Sequence, residues 1–247
     1  MTIRVGDYQS TIDGGPIQLT VHCENSKSDN KKTGDMVQVS ATRSDVTPAQ
    51  AASKGLDQSV CGNCPLRPSV KKEKGATSCY VNTMYKTGSW KAARARVPDM
   101  AAAIKAMNKK PVRFGEYGNM SSVPREVIEK LLQAADEWTL YEHEWRKDSN
   151  QWLHEYAMAS VHSEAEALEA QAMGWRTFRE RGPDDPLMDN EIQCPHRAHG
   201  VQCVDCLLCD GYRDKVVHGV TTDAGTTRWI VPDKRKNISE IAHGHGK

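Results

Sequence analysis

Short apolar runs, separated by stretches of helical character, recur along the middle of the chain. Residues 36–40 alternate apolar and polar side chains, which is the period of a β-strand. Comparable short segments predict five further strands, at residues 111–118, 139–141, 156–160, 175–178 and 215–220.

Helices are predicted in the intervals between these strands. Residues 91–107 are rich in alanine and predict one helix. A second helix is entered through Pro124 and carries apolar residues on one face. A third begins at a capping box formed by Ser163 and Glu166, and Gly174 ends it.

Strand and helix alternate with a period of roughly 20–30 residues, which is typical of parallel βαβ units. Some six strands are visible, fewer than the eight of a closed barrel. The pattern therefore predicts an α/β protein, a partial (β/α) barrel with a cysteine-rich, metal-binding C-terminal segment. The expected organisation is a polar N-terminal extension at 1–35, the barrel at 36–193, and the cysteine-rich segment with a final strand at 194–247.

Charge and hydropathy exclude several classes of protein. The 247 residues include 33 Lys and Arg against 32 Asp and Glu, so a generally basic nucleic-acid-binding surface is not indicated. No run approaches the ~18 apolar residues of a membrane span, and the N-terminus lacks the apolar stretch of a secretory signal. We therefore expect a cytoplasmic protein with no membrane partner.

Eight cysteines carry most of the chemical information, and seven of them fall into two closely spaced groups. Four disulfides are disfavoured because the chain shows no secretion signal and is too large to depend on such crosslinks. In a reducing compartment, grouped thiols instead indicate metal or iron–sulfur ligands. Cys23, the eighth, is interpreted as a buried small apolar residue or as an additional ligand.

The second cysteine group has the spacing Cys194-x8-Cys203-x2-Cys206-x2-Cys209. Four thiolates satisfy either a tetrahedral zinc ion or a [4Fe–4S] cluster. The unbroken Cys-x2-Cys-x2-Cys run favours the cluster, whereas the neighbouring His196 and His199, as alternative ligands, favour zinc. The spacing therefore predicts a metal site and leaves the metal open.

The first cysteine group has the spacing Cys61-x2-Cys64-x14-Cys79. One interpretation adds Cys23 or His22 as a fourth ligand and makes a structural zinc site. The other is a [4Fe–4S] cluster with three cysteine ligands, which leaves one iron open for a substrate or cofactor. An open coordination position is what chemistry at a metal requires.

The order of these features resembles the radical-SAM superfamily. The first cysteine group follows the first predicted strand, the second strand ends in Gly115-Glu116, and a later strand ends in Ser160. The chain also resembles a group of bacteriophage proteins that share a Cys-Gly-x-Cys-Pro…Cys-Tyr segment, a Gly-Glu-Tyr-Gly turn and a terminal cysteine-rich stretch. This likeness covers most of residues 33–220.

The resemblance implies roles for particular residues. Cys61, Cys64 and Cys79 would bind the cluster, Gly115 and Glu116 would contact the amino group of S-adenosylmethionine, and Ser160 would contact its ribose. The superfamily spacing is Cys-x3-Cys-x2-Cys, and only one glycine precedes Glu116, so this chain departs from the pattern at both motifs.

Two histidines are candidate catalytic residues. His143 lies near the carboxyl end of a predicted strand, the usual active-site end of such barrels, and His218 lies within the last predicted strand. Together these features predict an iron–sulfur enzyme that acts on a small molecule, a nucleotide or a nucleobase. The alternative is a zinc protein without enzymatic activity that binds nucleic acid or a host protein.

Overall fold

The computed structural model describes residues 1–23, 32–70, 79–212, 215–222, 225–231, 233 and 235–241. For residues 215–222 and 225–231 it describes the backbone but not the side chains. The described chain is a mixed α/β protein.

The strands are numbered in chain order. They are β1 (Thr2–Gln9), β2 (Pro16–His22), β3 (Val37–Arg43), β4 (Val112–Tyr117), β5 (Trp138–Thr139), β6 (Tyr141–Glu142), β7 (Met158–Val161), β8 (Thr177–Arg181), β9 (Glu191–Gln193), β10 (Lys215–Thr222), β11 (Gly225–Val231) and β12 (Asn237–Ile241).

The helices are numbered in the same way. They are α1 (Pro48–Lys54), α2 (Gln58–Cys61), α3 (Thr83–Arg94), α4 (Met100–Met107), α5 (Arg125–Ala134), α6 (Glu164–Ala172), α7 (Pro195–His199) and α8 (Cys203–Cys206), with two 3-10 helices at Met120–Ser122 and Asp148–Glu155.

Two five-stranded sheets form the body of the protein, with the orders β1-β2-β3-β4-β5 and β6-β7-β8-β12-β9. β1, β2 and β3 are antiparallel, whereas every pairing from β3 to β5 and throughout the second sheet is parallel. Among the described strands the sheets do not close into a barrel, since β1 and β9 are edges.

The two sheets meet at Leu140, which separates β5 from β6 by a single residue. Its N–H donates to the carbonyl of Cys209 at 2.9 Å, and its carbonyl accepts from the N–H of Met158 at 3.0 Å. The strand segment 138–142 therefore pairs with β4 through its first half and with β7 through its second half. The carboxyl ends of β3 to β8 consequently point in the same direction.

Apolar residues pack on both faces of the parallel strands. The larger core contains Phe114, Leu140 and Ala159 with apolar residues of α4, α5 and α6. A smaller core on the opposite face contains Met158 and Ile238 together with two cysteines of the second group. Alternation along β7 explains the division, since Met158 and Ala159 point to opposite faces.

Several predicted elements are found with changed boundaries. The alanine-rich segment 91–107 is divided between α3 and α4, because Pro98 cannot continue a helix and Asp99 caps the next one. α5 buries Val127, Ile128, Leu131 and Leu132 as the periodicity predicted. Ser163 caps α6 by accepting from the N–H of Glu166, whose carboxylate accepts from the N–H of His162.

Other strands were missed by the sequence analysis. Residues 1–35, interpreted as a polar extension, contain β1 and β2, which continue the first sheet. The strand predicted at 215–220 is β10, but it pairs with β11 in a separate two-stranded sheet, and β12 joins the main one. The polar residues 24–34 predict a loop, and residues 24–31 of it lie outside the described residues. Within the described chain no helix is long and apolar enough to cross a membrane.

Candidate functional site

One face of the parallel strands carries most of the candidate residues. In the strand register Tyr141 is paired with Met158, and Ser160, two residues further along β7, is paired with Phe178. Paired residues share a face, and so do residues two apart on one strand. Ser160 therefore lies on the face of the smaller apolar core, towards the carboxyl ends of the strands.

The first cysteine group lies at the carboxyl end of β3. Cys61 ends α2, and its carbonyl accepts a hydrogen bond of 3.0 Å from the side-chain amide of Asn119, which follows β4. Cys61 and Cys64 are 8% and 9% exposed. Cys79 is half-buried, and its N–H donates to the carbonyl of Leu66 at 2.7 Å. The group thus rests directly on the parallel strands.

Gly62 is required by the turn between the first two thiols. Its φ is +55°, and a Cβ atom there would lie 2.2 Å from a carboxylate oxygen of Glu144. The same carboxylate oxygen accepts a hydrogen bond from the N–H of Asn63. A glycine with left-handed backbone therefore allows Glu144 to hold the Cys61–Cys64 turn in place.

The three thiols of the first group influence one another. Burial raises the pKa of Cys61, and the charges of Cys64, Asp57 and Cys79 raise it further. Burial also raises the pKa of Cys79 to about 11, with contributions from Cys64 and Glu116. Three thiols that affect one another in this way have been brought close together by the fold, although Cys79 is 15 residues beyond Cys64.

Neither additional ligand proposed from the sequence belongs to this group. His22 is paired with Gln38 near the beginning of β3, and Cys23 is the next residue. The Cys61 turn packs at the other end of β3, several residues away at roughly 3.3 Å per residue. Cys23 and His22 therefore do not complete the first group.

Glu116 is brought beside the first cysteine group by a bulge in β4. Val39 is paired with Phe114 but Ser40 is paired with Tyr117, so Gly115 and Glu116 are extra residues in the ladder. Gly115 has a φ of +70°, which favours glycine at this position. The bulge turns the Glu116 carboxylate towards Ser40, whose hydroxyl donates to it at 2.6 Å.

The Glu116 carboxylate also forms an ion pair with the Lys86 ammonium, whose side chain is 12% exposed. Burial would raise the pKa of Glu116, but Lys86, the Ser40 hydroxyl and Arg113 together lower it. Glu116 is therefore a carboxylate at neutral pH, and in this structure it already binds an ammonium group of the protein.

Two histidines stand where neighbouring strands end. His143 follows β6, His162 follows β7, and their rings lie nearly parallel with centroids 6.1 Å apart. His143 Nδ1 lies 3.0 Å from the side-chain oxygen of Asn119, and His162 Nδ1 lies 3.2 Å from a carboxylate oxygen of Glu180. Burial lowers the pKa of His143, which is therefore neutral at pH 7.

The second cysteine group surrounds one small cavity on the same face, nearer the middle of the strands. All four thiols line it, together with Lys32, Thr139, Tyr141, Pro195, His196, Val201, Leu207 and Leu208. The cavity has a volume of about 10 Å³, which is the space of roughly one water-sized sphere. It accommodates a single ion more readily than a cluster of eight atoms.

The surroundings of these thiols suit thiolate ligands. The Cys194 sulfur accepts hydrogen bonds from the backbone of His196 and Arg197, which lower its pKa against the larger effect of burial. Burial raises the pKa of Cys209 to about 12, and a hydrogen bond from the Tyr141 hydroxyl opposes this effect. Leu207, between Cys206 and Cys209, adopts left-handed backbone with φ +50°. This conformation, uncommon outside glycine, brings Cys209 back towards the cavity.

Arg113 lies between the two groups. Its guanidinium stacks on the Tyr80 ring at 5.1 Å and also donates to the Tyr80 hydroxyl. Burial raises the pKa of Cys203, and the charge of Arg113 opposes this effect while also acting on Glu116. Arg113 therefore connects the surroundings of the two cysteine groups.

Across the part of the chain that the structure describes, no three His, Cys, Asp or Glu side chains are already positioned to hold a metal ion. The thiols of each group are close together but are not in a ligand geometry. A metal would have to draw them inward and release their protons, because thiols bind metals as thiolates.

The structure also tests the remaining candidate residues. Cys61, Cys64, Cys79, Glu116, Ser160 and His143 lie at one end of the parallel strands. The side chain of His218 lies outside the described residues. His162, Asn119 and Lys86 were missed by the sequence analysis. The sequence could have indicated His162, because it follows the predicted strand 156–160 just as His143 follows the predicted strand 139–141.

Comparison with known proteins gave no match to any family model, curated protein or solved structure.

Proposed function

We propose that this protein is an iron–sulfur enzyme of the radical-SAM type, with an open partial barrel built from its two parallel-rich sheets. In this proposal the first cysteine group binds a [4Fe–4S] cluster with one open iron, and the second binds a structural metal ion. The observation that carries the proposal is that the first cysteine group, Glu116 and Ser160 share one end of the parallel strands.

The strand order supports this assignment. β3, β4, the segment 138–142, β7 and β8 follow one another in parallel, and the cysteine loop follows the first of them. The bulge at Gly115–Glu116 ends the second, and Ser160 lies on the fourth. Active sites of parallel α/β proteins lie at the carboxyl ends of the strands, where these residues are.

The donor set of the first group fits a cluster with three protein ligands. Three thiols converge, and the two fourth ligands proposed from the sequence lie at the opposite end of β3. When loaded, such a cluster supplies the electron that cleaves a bound sulfonium cofactor. The protein residues hold the cofactor and substrate and exclude water from the site.

Glu116 is the proposed ligand of the cofactor amino group. Its carboxylate binds the ammonium of Lys86 in this structure, which supports a role in binding such a group. A cofactor ammonium would replace Lys86 or share the carboxylate with it. The Ser40 hydroxyl keeps the second interaction with the same carboxylate.

The second cysteine group fits a single zinc ion. Four thiols line a cavity of about 10 Å³, and backbone N–H groups already donate to one of them. Zinc with four thiolates is a closed site, which stabilises the fold but leaves no position for substrate.

Metal analysis of anaerobically purified protein tests the proposal. The expected result is brown protein with about four iron and four sulfide per chain and about one zinc. Protein that is colourless, binds about two zinc ions and gains no iron on reconstitution would overturn it.

Calorimetry with S-adenosylmethionine tests the cofactor separately. Glu116→Gln should weaken binding by tenfold or more, because a charge-assisted hydrogen bond contributes on the order of 1.5–3 kcal/mol. Iron content should stay unchanged. Glu126→Gln, at an exposed position of α5, is the matched control. Absence of binding to the iron-loaded wild type would refute the cofactor assignment.

The second candidate is a zinc protein without enzymatic activity that binds nucleic acid or another protein. The small cavity of the second cysteine group fits zinc in both proposals. The second candidate requires zinc in the first group as well, so the metal analysis separates the two proposals.

A further inference from the structure

The two histidines at the carboxyl ends of β6 and β7 have fixed ring orientations. The side-chain amide of Asn119 donates to the carbonyl of Cys61, so its oxygen faces His143 and must accept from His143 Nδ1–H. The Glu180 carboxylate can only accept, so His162 Nδ1 also carries a proton. Nε2 of the neutral His143 ring therefore has a free lone pair, and metal binding requires the same neutral form of the His162 ring.

Both Nε2 atoms are buried and have no hydrogen-bond partner among the described residues. Buried polar atoms of side chains are usually hydrogen-bonded, so two such atoms on neighbouring rings require an explanation. An imidazole with Nδ1–H bound to an oxygen and Nε2 free is the arrangement of histidines that ligate metals.

The charges around the pair favour a cation. The carboxylates of Glu142, Glu180, Glu144 and Glu166 all act on His143. Glu144 is paired with Lys147, and Glu166 with Arg146. Glu142 is fully buried, and its carboxylate accepts from the hydroxyl and N–H of Ser121. A bound cation would offset the remaining negative charge of Glu142 and Glu180.

The spacing of the rings also fits one shared ion. Two imidazoles bound to one ion at about 2.0–2.1 Å have ring centroids no more than about 6.4 Å apart. The centroids of His143 and His162 are 6.1 Å apart.

We propose that Nε2 of His143 and Nε2 of His162 bind one divalent transition-metal ion at the carboxyl ends of the strands. Two protein ligands leave further coordination positions to water or to an oxygen or nitrogen of a substrate. The site uses no cysteine, so it does not depend on which metal either cysteine group holds.

Nickel(II) is a suitable probe because it binds imidazole well and its ligands are distinguishable by X-ray absorption. We would titrate nickel(II) into the protein as purified, with its cysteine sites loaded, and follow binding by calorimetry. His143→Gln and His162→Gln should each weaken one binding event by tenfold or more. His154→Gln is the matched control, because His154 Nδ1 bonds the carbonyl of Gln151 outside the pair.

X-ray absorption of the nickel-loaded wild type decides the result independently of how the variants fold. Scattering from two imidazoles per nickel, lost in His162→Gln, would support the site. Nickel bound through sulfur only, or binding unchanged in both pair variants, would overturn the proposal. Absence of nickel binding to the wild type would overturn it as well. None of these outcomes depends on iron or on S-adenosylmethionine.

Discussion

The two cysteine groups differ in their surroundings, and Cys61 and Cys64 of the first group pack with the larger apolar core. The second group is built into the smaller core, where Cys194 and Cys209 pack with Met158 and Ile238. The first group lies at the carboxyl ends of the strands, beside Glu116 and other ionisable residues. Burial is similar, since Cys61 is 8% exposed and Cys209 is 7% exposed.

Burial alone therefore does not distinguish a structural thiol group from a reactive one. The difference lies in what surrounds the thiols. Apolar side chains and main-chain hydrogen bonds tie the second group into β9, β12 and the segment 138–142. Cys61 and Cys64 also pack with the larger apolar core, but the first group lies beside the Glu116 carboxylate. Asn119 links Cys61 to His143. A metal in the second group would hold the fold, whereas one in the first would meet groups that bind and transfer protons.

The strongest test of this difference removes thiols from the second group. Cys203→Ser, Cys206→Ser and Cys209→Ser should each lower the melting temperature by on the order of 10 °C, because metal binding at a closed site is coupled to folding. The zinc content of these variants should fall together with the melting temperature. Cys23→Ser, a buried thiol outside both groups, is the control. Full retention of metal and melting temperature in all three variants would contradict the closed site.

An effect of similar size is expected from the strand that leads into the second group. Arg179 forms a buried, two-pronged ion pair with Glu191 of β9, at 2.8 and 2.6 Å. Glu191→Gln should destabilise the protein by about 3–5 kcal/mol because a buried guanidinium loses its charged partner. Chemical denaturation measures this, with Glu129→Gln in an exposed pair as the control. A change below about 1 kcal/mol would show that the pair does not support this region.

Substitutions in the first group should affect stability less. Cys61→Ala, Cys64→Ala and Cys79→Ala should leave a folded protein that keeps the zinc of the second group, because strand pairing and apolar packing hold the surrounding sheet. Iron and activity should be lost. Metal analysis and thermal melting measure both. If these variants unfold as readily as those of the second group, both groups are structural and the zinc protein becomes the better proposal.

The smallest expected effect concerns the segment before the first group. Arg43 binds the Asp45 carboxylate with two hydrogen bonds of 2.9 and 2.7 Å, and they lower the pKa of Asp45. A lowered pKa contributes stability above the unfolded value of 3.8, and this is lost as the pH falls through the folded value. Asp45→Asn should therefore lower the melting temperature by about 1–2 °C at pH 7. The difference should begin to shrink below pH 3.8 and be lost once the pH is below the folded pKa, and an unchanged difference there would contradict the pair.

Much of the parallel sheet was predictable because its signals are local. Apolar runs marked β3, β4 and β7, and the apolar periodicity after Pro124 marked α5 with its buried face. β1 and β2 were missed because their apolar residues are interrupted by polar ones that the sheet nevertheless buries, such as Gln18 and Thr20. Pro98 indicates a division between α3 and α4, although the alanine-rich composition predicted a single helix there.

The candidate site was predictable only in part. The spacing of the second group identified four thiols, and the structure places all four around one cavity. The spacing indicated Cys79 less strongly as a member of the first group, because 14 residues separate it from Cys64 and no local rule fixes its position. The sequence analysis did not name His162 as a candidate site residue, because its proposed role depends on the neighbouring ring of His143, which lies 19 residues earlier in the chain.

The sequence by itself determined the alternation of strands and helices, the two cysteine groups and the positions of Glu116 and His143 at strand ends. Only the tertiary structure decided that the Glu116 carboxylate binds Lys86, that Cys23 lies away from Cys61, and that two imidazoles share a face with free Nε2 atoms. Local patterns follow from the backbone geometry of a few consecutive residues. Contacts between distant residues depend on strand order and register, which the whole chain sets through its packing.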